Sequence, residues 1–406
     1  MNRVAITGIG VISALGADAP AMAAALRRGQ SAIGPLTVTP TDKLLIKIGA
    51  EVPGFEPAAH FEGKKLALLD RCAQLGLVAA RQAVAASGLD FRGPLGGRSA
   101  AIIGSGVGGI GTLDDSFKLL YGEGAKRFLP MTIPKMMISA AVSHITMAHG
   151  IRGPAFTVAS ACASANHAIG TAYHMVRSGM VDAALTGGTE SVFTLGTIRA
   201  WEAMRILAPD TCRPFSLGRQ GLVLGEGAGM FVLENHAHAI ARGAGILGEI
   251  IGFGMSSDAG DIVLPSVDGA AAAMRACIAD SGLAPEAFTY INAHGTGTAM
   301  NDVTETRAVR AVFGGHAGKL AISSTKSLHG HALGASGALE LAATLLAMRG
   351  GFIPPTANFT EADPVFLKHC QPQHFIVGWP RDFGIVESVV AKPPDDHHGG
   401  IRNAKL

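Results

Sequence analysis

The chain has 406 residues, of which 48% are hydrophobic and 16% are charged, and its formal net charge is +2 at pH 7. A single hydrophobic core stops growing below this length, so we expect two domains or two fused halves. The small net charge excludes a global field that would attract nucleic acid, and any acidic partner must be bound by a local basic patch.

The five cysteines have no spacing that is typical of a metal or redox site. Their number is odd, and the chain is too long to need disulfides for its stability. This cysteine usage predicts a protein of a reducing cytoplasm.

Two apolar stretches could be mistaken for targeting or membrane segments. Glycines at positions 8, 10 and 16 interrupt the first stretch, which we interpret as a core strand followed by a loop. The second, 153–176, contains Pro154, Asn166 and His167, which a lipid-facing helix accommodates poorly. No membrane span is predicted.

Short apolar runs rich in β-formers alternate along the chain with helical patterns of small residues. The predicted strands are 4–7, 101–104, 183–186, 230–233, 290–292 and 320–323, and the predicted helices are 66–87, 271–281 and 337–348. This alternation predicts a layered α/β protein with sheets covered on both faces. Segments 160–179 and 327–350 share one plan, which indicates a duplicated fold with its boundary near 243–252.

Segment 158–167 places Cys162 where a predicted strand passes into a predicted helix. Free amides and the helix dipole at such a position favour the thiolate, which an acyl-accepting nucleophile requires. The alternative is that Cys162 is a small buried core residue, which is a common role of free cysteine.

Two further segments each place a histidine after a predicted strand. Segment 292–298 carries His294, and segment 323–331 carries His329 and His331. A cysteine and two histidine loops at strand ends together indicate a catalytic site. His329 and His331 lack the spacing of helical metal ligands, and no carboxylate pair accompanies them, so we predict no metal.

These three segments, together with 104–109, 213–215 and 224–229, resemble the β-ketoacyl-acyl-carrier-protein synthases of the elongating type over residues 1–364. The resemblance implies a thiolase-like α/β fold with two duplicated βαβαβαββ halves in a five-layered αβαβα arrangement. We expect the halves at 1–248 and 249–406, and a homodimer.

The resemblance also implies a decarboxylative condensation that lengthens a fatty acyl chain by two carbons. Cys162 would accept the acyl chain, while His294 and His331 would promote loss of CO₂ from malonyl carrier protein. Two imidazole N–H groups suit that step because negative charge develops on a thioester oxygen. No cofactor is implied beyond the phosphopantetheine that the acyl carrier protein brings.

Other residues receive supporting roles from the same resemblance. Lys326 and Glu340 would form one buried polar network, because either charge alone would be costly to bury. Asp302 would support the site. The implied substrate contacts are Thr296 and Thr298 for the phosphopantetheine arm and Val107 for the acyl chain. The implied carrier-protein patch, for which an ordinary solvated face is the alternative, comprises Lys64, Lys65, Lys126 and Arg127.

The end of the chain departs from the family pattern. The family has an Asn-x-Phe-x-x-Gly-Gly-Thr-Asn loop that supplies a gating phenylalanine and a backbone N–H opposite the cysteine amide, and segment 384–400 contains no such loop. We hypothesise that the tail from about residue 365 derives from a shifted reading frame or a divergent terminus.

Several relatives offer alternative functions. Segment 201–216 resembles the nodulation protein E group, which makes an unsaturated acyl chain for a lipo-oligosaccharide. A non-catalytic partner subunit like the chain-length factors would lack the nucleophile, whereas Cys162 is present. A thiolase would need a second cysteine in a glycine-rich context, which Cys370 lacks. Starter-unit synthases use one histidine and one asparagine, so two histidines favour elongation.

Overall fold

The computed structural model describes residues 1–364, 366, 383–386 and 389–394. The strands are β1 Val4–Ser13, β2 Gly34–Pro35, β3 Ile48–Gly49, β4 Ser99–Gly104, β5 Ala155–Val158, β6 Ala183–Glu190, β7 Gly227–Asn235, β8 Gly248–Phe253, β9 Phe288–Asn292, β10 Ala321–Ser323, β11 Phe383–Val386 and β12 Val389–Lys392. The helices of the first half are α1 Ala19–Arg28, α2 Pro57–His60, α3 Gly63–Leu66, α4 Arg71–Ser87, α5 Ile110–Phe117, α6 Thr132–Met136, α7 Ala140–His149, α8 Ser164–Arg177, α9 Leu195–Ala203 and α10 His236–Ala241. The helices that follow are α11 Val267–Ser281, α12 Ala299–Phe313, α13 Lys326–His329 and α14 Ser336–Gly350.

Ten strands form one mixed sheet in the order β10-β9-β11-β12-β8-β1-β7-β6-β4-β5. Each set of five has the same internal order, with its third strand at the outer edge, followed by its second, fourth, fifth and first. The directions also agree, because the second strand is parallel to the third and fourth while the fifth is antiparallel to both its neighbours. The two first strands, β1 and β8, pair antiparallel in the middle. This repeat agrees with the duplication that the sequence indicates.

Helices cover and separate the two sets of strands. Helices α8 and α14 contact each other, α8 packs on β4 and β6, and α14 packs on β7 and β11, so this pair forms a central layer. Helices α4 and α7 cover the outer face of the first set, and α11 and α12 cover that of the second. The layers run αβαβα, and the expected thiolase-like fold is confirmed.

Close packing of β1 on α4 corrects one interpretation of the sequence. Gly8 and Gly10 do not end a strand, because β1 continues to Ser13. A β-carbon at Gly8 would collide with the carbonyl of Ala83, and one at Gly10 with the carbonyl of Ala79. These glycines therefore allow the helix to approach the strand, as in tightly layered sheets.

Other differences concern element boundaries. The helix predicted from residue 66 begins at Arg71, because the carboxylate of Asp70 accepts a hydrogen bond from the backbone N–H of Cys72 and caps α4. Strands β2, β3, β8, β11 and β12 were not predicted, whereas β5 is the strand that the sequence places before Cys162. The domain boundary expected after residue 248 falls at the start of β8 and stays a prediction.

In the part of the chain that the structure describes, no helix has the length and apolar character needed to cross a membrane.

Candidate active site

Cys162 lies in the turn between β5 and α8, directly before the helix N-cap at Ala163. The preceding residue, Ala161, has a φ of 50°, a left-handed conformation that is unfavourable for a residue with a β-carbon. Strained backbone of this kind clusters at functional sites. The turn presents Cys162 as a partly exposed side chain that packs beside an apolar cluster containing Phe193, Ile198 and Leu333.

The other cysteines that the structure describes are buried thiols. Burial raises the pKa of Cys72 and Cys277 well above the ordinary thiol value, and it raises the pKa of Cys212 to about 12. These three thiols stay protonated at neutral pH, and only thiolates are good nucleophiles. Cys162 is therefore the accessible candidate nucleophile among the described cysteines, while Cys370 lies outside the described residues.

His331 is held on both sides by residues 223 and 225, at the start of the segment that the sequence singled out at 224–229. Its backbone N–H donates to the carbonyl of Val223, and its carbonyl accepts from the N–H of Gly225. Its Nδ1 accepts a hydrogen bond of 3.2 Å from the backbone N–H of Leu333 and lies 2.8 Å from Oγ of Ser336. Because a backbone N–H can only donate, Nδ1 is an acceptor, and the proton of the neutral ring is on Nε2.

His294 directly follows β9 and is fixed by a carboxylate that the sequence analysis missed. Glu305 of α12 accepts hydrogen bonds of 2.7 Å and 2.8 Å from the backbone N–H groups of His294 and Gly295. Glu305 lies one helical turn after Asp302, and a second acidic residue on that face was the available signal. The ammonium of Lys326 lies 3.3 Å from Nδ1 of His294, which again leaves the ring proton on Nε2.

The three side chains come together. One ligand atom from each of Cys162, His294 and His331 lies within 4.8 Å of the others, and the two imidazole centroids are 5.4 Å apart at an interplanar angle of 87°. Because Nδ1 of each ring meets a donor, Nε2 is the nitrogen that carries the proton in both rings. A metal ligand would need the opposite tautomer, with its second nitrogen donating to a carboxylate or carbonyl. The arrangement thus suits hydrogen-bond donation to an oxyanion better than metal binding.

Lys326 and Glu340 form an ion pair with no exposed side-chain surface. Around it, Asn292 donates through Nδ2 to the carbonyl of Glu340 and to Oγ1 of Thr344, while Thr325 donates to Oδ1 of Asn292. A buried ion pair of this kind offsets the desolvation of each charge only while both are present. The pair therefore holds the ammonium of Lys326 beside His294.

Asp302 shapes the loop that carries the two threonines. Its carboxylate accepts hydrogen bonds from the backbone N–H groups of Phe215, at 2.9 Å, and Gly297, at 3.2 Å. Phe215 has a φ of 63°, so Asp302 stabilises a strained residue of the 213–215 motif. Burial raises the pKa of Asp302 to about 6. Within the loop, the hydroxyls of Thr296 and Thr298 lie 2.9 Å apart.

A cavity of about 570 Å³ opens onto Cys162 and His294. Its wall includes Ser160 and His167, which are hydrogen-bonded at 2.7 Å, together with Glu305 and much of segment 254–266. Val107, Thr296 and Thr298 are not part of this wall. The cavity is large enough for part of an extended thioester substrate, and its apolar rim includes exposed Met255 and Ile262.

The predicted basic residues lie on two neighbouring segments. Lys64 and Lys65 belong to α3, whereas Lys126 and Arg127 precede α6. A second cavity, of about 530 Å³, is lined by Leu68 just after α3 and by 129–132 just after Arg127. None of the four basic residues lines this cavity, although each pair lies within a few positions of a lining residue. Val107 is 40% exposed, and it is also outside this second cavity.

Comparison with known proteins agrees with this arrangement. Residues 1–239 match the N-terminal domain of β-ketoacyl synthases, and residues 247–360 match the C-terminal domain. The chain is 50% identical over 363 residues to nodulation protein E of Rhizobium sp. (strain N33), covering 89% of this chain and 90% of the relative. It is 40% identical over 370 residues to 3-oxoacyl-[acyl-carrier-protein] synthase 2 of Coxiella burnetii, with 89% of each chain covered.

Solved structures show the same similarity. The ishigamide ketosynthase/chain length factor aligns with a TM-score of 0.89 and 34% identity over 96% of this chain and 98% of its own. A β-ketoacyl synthase from Burkholderia phymatum STM815 aligns with a TM-score of 0.88 and 30% identity over 97% of this chain and 100% of its own. The resemblance inferred from the sequence is confirmed, and the chain belongs to the β-ketoacyl synthase family.

Proposed function

We propose that this acyltransferase condenses an acyl group held on Cys162 with malonyl carrier protein and lengthens a fatty acyl chain by two carbons. The observation that carries the proposal is the grouping of Cys162, His294 and His331 within 4.8 Å, with both imidazoles arranged as donors. Lys326 and Glu340 support His294, and Asp302 supports the threonine loop.

The first step is acyl transfer to the enzyme. The Cys162 thiolate attacks the carbonyl carbon of an acyl thioester, a new C–S bond forms, and the phosphopantetheine thiolate leaves and takes up a proton. The left-handed Ala161 and the N-cap at Ala163 present the sulfur at the end of a helix, where free N–H groups favour negative charge. The apolar cluster beside Cys162 offers a surface for the hydrocarbon chain.

The second step is loss of CO₂ from the malonyl thioester. The C–C bond to the carboxylate breaks, its electrons form an enolate, and the negative charge collects on the thioester oxygen. Nε2–H groups from His294 and His331 donate to this oxygen, and fixed donors are effective because they need no reorganisation. The carbanion then attacks the Cys162 thioester, the C–S bond breaks, and the β-ketoacyl product leaves on the carrier protein.

The substrates and partners follow from this chemistry. The phosphopantetheine arm belongs to the acyl carrier protein, and we propose no further cofactor and no metal. Thr296 and Thr298 contact the arm, and Val107 lies beside the acyl chain. The basic patch, comprising Lys64, Lys65, Lys126 and Arg127, meets the acidic carrier protein. We further propose two halves, 1–248 and 249–406, a homodimer, and a cytoplasmic location, which suits the free thiols of the described cysteines.

Two related functions stay alternatives. A specialised nodulation-type synthase is favoured by the 50% identity to nodulation protein E. A non-catalytic partner subunit is suggested by the similarity to the ishigamide ketosynthase/chain length factor. The presence of Cys162 and both histidines favours catalysis over the second alternative.

The test uses the purified full chain with malonyl carrier protein and a long-chain acyl carrier protein. We expect release of CO₂, a mass increase of one acyl group on Cys162, and a β-ketoacyl product. Cys162→Ala serves as the matched control and must lose the acyl adduct. A well-folded protein that shows neither acylation nor decarboxylation would exclude the enzyme and favour the partner subunit.

A further inference from the structure

Glu190, the last residue of β6, has a fully buried carboxylate that neither the sequence analysis nor the condensation described above uses. Four groups donate hydrogen bonds to it: Oγ of Ser105 at 3.0 Å, and the backbone N–H groups of Gly106 at 2.5 Å, Val107 at 3.3 Å and Gly334 at 3.1 Å. Buried charges are normally paired with an opposite charge. Here, hydrogen bonds from neutral donors take that role.

The donors come from two loops in different halves of the chain. Ser105, Gly106 and Val107 belong to the glycine-rich loop after β4, whereas Gly334 belongs to the turn that follows His331. Leu333 lies between His331 and Gly334. Its backbone N–H donates to Nδ1 of His331, and its φ is 42°. The Glu190 carboxylate thus holds Gly334, which directly follows Leu333. The backbone N–H of Leu333 sets the tautomer of His331.

The two loops approach so closely that side chains are excluded. A β-carbon at Gly334 would collide with the backbone nitrogen of Gly106 and with the carboxylate of Glu190. A β-carbon at Gly106 would lie 2.8 Å from the same carboxylate. Glycine is therefore required at both positions because the loops converge on Glu190.

We propose that Glu190 is a positioning residue for decarboxylation, because it fixes Gly334 and Leu333 and thereby keeps the Nε2–H group of His331 directed at the substrate. The same carboxylate fixes the backbone of Val107. This inference rests on the proposed function, in which His331 stabilises the enolate. A carboxylate is needed because four donors require four acceptor positions, which an amide cannot offer.

Burial and hydrogen bonding have opposite effects on the pKa of Glu190. Burial raises the pKa of Glu190 to about 7, while the hydrogen bonds from Gly106, Val107, Ser105 and Gly334 oppose that rise, so the carboxylate accepts all four hydrogen bonds above about pH 7. Cys72 of α4 lies close to this region, and its thiol is 3.8 Å from Oγ of Ser105.

The experiment compares Glu190→Gln with Glu249→Gln in the full chain. Glu249 is equally buried but is paired with Arg3 and Lys392 and lies outside the wall of the catalytic cavity, so it controls for the loss of a buried charge. We measure acylation of Cys162, and kcat and KM for malonyl decarboxylation. For Glu190→Gln we expect decarboxylation kcat to fall roughly tenfold or more with KM nearly unchanged, and acylation to change less than about threefold.

Equal losses in acylation and decarboxylation, or the same profile in Glu249→Gln, would overturn the inference. If Glu190→Gln does not fold, Ser105→Ala removes a single donor and should give a smaller loss of the same kind. If the wild-type protein lacks both reactions, the proposed function fails, but ¹⁵N-histidine NMR still tests the positioning. The His331 signals, assigned with His331→Gln, should change in Glu190→Gln, and unchanged signals would refute the role.

Discussion

The ammonium nitrogen of Lys326 lies 3.3 Å from Nδ1 of His294, and it also pairs with the buried carboxylate of Glu340. One cation therefore serves two neighbours: it neutralises a buried carboxylate and fixes the tautomer of a candidate catalytic ring. These two roles can be separated, because the first concerns stability and the second concerns the donor that His294 offers to the substrate.

Replacing the cation should affect both roles. In Lys326→Met, the carboxylate of Glu340 is left without its buried cation, and the free energy of unfolding should fall by about 3–5 kcal/mol. Malonyl decarboxylation should fall by roughly 10², because Nδ1 of His294 loses its donor. Urea denaturation and CO₂ release measure the two effects.

The matched control is the double variant Lys326→Met with Glu340→Leu. Replacing a buried ion pair by apolar residues is often close to neutral for stability. We therefore expect this variant to regain most of the lost stability without regaining decarboxylation. Recovery of both properties would show that Lys326 acts only on the fold.

The cysteines should differ sharply in reactivity towards iodoacetamide at pH 7.5. Cys162 is partly exposed, whereas burial keeps Cys72, Cys212 and Cys277 protonated and inaccessible. Among these four cysteines, peptide mass spectrometry should find Cys162 carbamidomethylated first, and Cys162→Ala should show no modification of Cys72, Cys212 and Cys277 before unfolding. Modification of Cys212 at a rate similar to that of Cys162 would contradict this ranking.

The candidate catalytic residues could be named from the sequence because their motifs are local, and their catalytic roles stay predictions. Each of the three lies in a short recognisable segment: Cys162 follows β5, His294 follows β9, and His331 follows α13. Glu305 and Glu190 were missed because their roles exist only in the folded protein. Glu190 meets Gly334 across 144 positions of sequence, and no local pattern indicates that contact.

The fold class was likewise predictable from alternating apolar runs, but the function of particular glycines was not. Gly8 and Gly10 look like loop signals, yet both lie inside β1 under α4. Periodicity identifies a buried strand, whereas the distance between layers depends on tertiary packing. The start of α4 was also misplaced: the helix was predicted from residue 66 but begins at Arg71. Apolar periodicity does not identify the N-cap, which is Asp70 in the folded protein.

The packing of β1 on α4 can be tested by adding one methyl group. In Gly10→Ala, the new β-carbon would collide with the carbonyl of Ala79 and lie 2.6 Å from the backbone nitrogen of Ala83. Overpacking of this kind should lower the free energy of unfolding by about 1–3 kcal/mol. Gly34→Ala is the control, because nothing lies within 4 Å of its added β-carbon. Equal melting temperatures for the two variants would refute the packing argument.

The pH dependence of stability should include a contribution from Asp302. Burial raises its pKa from 3.8 to about 6 in the folded protein. The folded chain therefore binds this proton more tightly than the unfolded chain, so the stabilising contribution is complete below pH 3.8 and is lost as the pH rises through about 6. The difference of about two pKa units corresponds to about 3 kcal/mol.

Asp302→Asn removes this titration. Urea denaturation of both proteins between pH 4.5 and 7.5 should show that wild type loses stability relative to the variant as the pH rises, with most of the change below pH 7. A constant difference across this range would mean that Asp302 keeps the same pKa in the folded and unfolded chains.

The connection between β11 and β12 leads to a prediction about which step of catalysis is slow. Strands β11 and β12 pair antiparallel up to Val386 and Val389, so only positions 387 and 388 connect them, and both lie outside the described residues. The glycine-rich loop that the family resemblance implies would bring a second backbone N–H opposite the amide of Cys162. Segment 384–400 of the sequence contains no such loop motif.

Loss of one oxyanion donor costs about 10²–10³ in rate. We therefore expect acyl transfer to Cys162 to limit turnover, whereas decarboxylation, which uses His294 and His331, keeps its rate. In rapid-quench mass spectrometry, acyl-Cys162 should form slowly and without a burst, while CO₂ is released from malonyl carrier protein in the absence of an acyl donor. Inserting Gly-Gly-Thr-Asn between positions 387 and 388 should speed acylation and leave decarboxylation unchanged. A burst of acyl-Cys162 in the wild-type chain would mean that another group supplies the second donor.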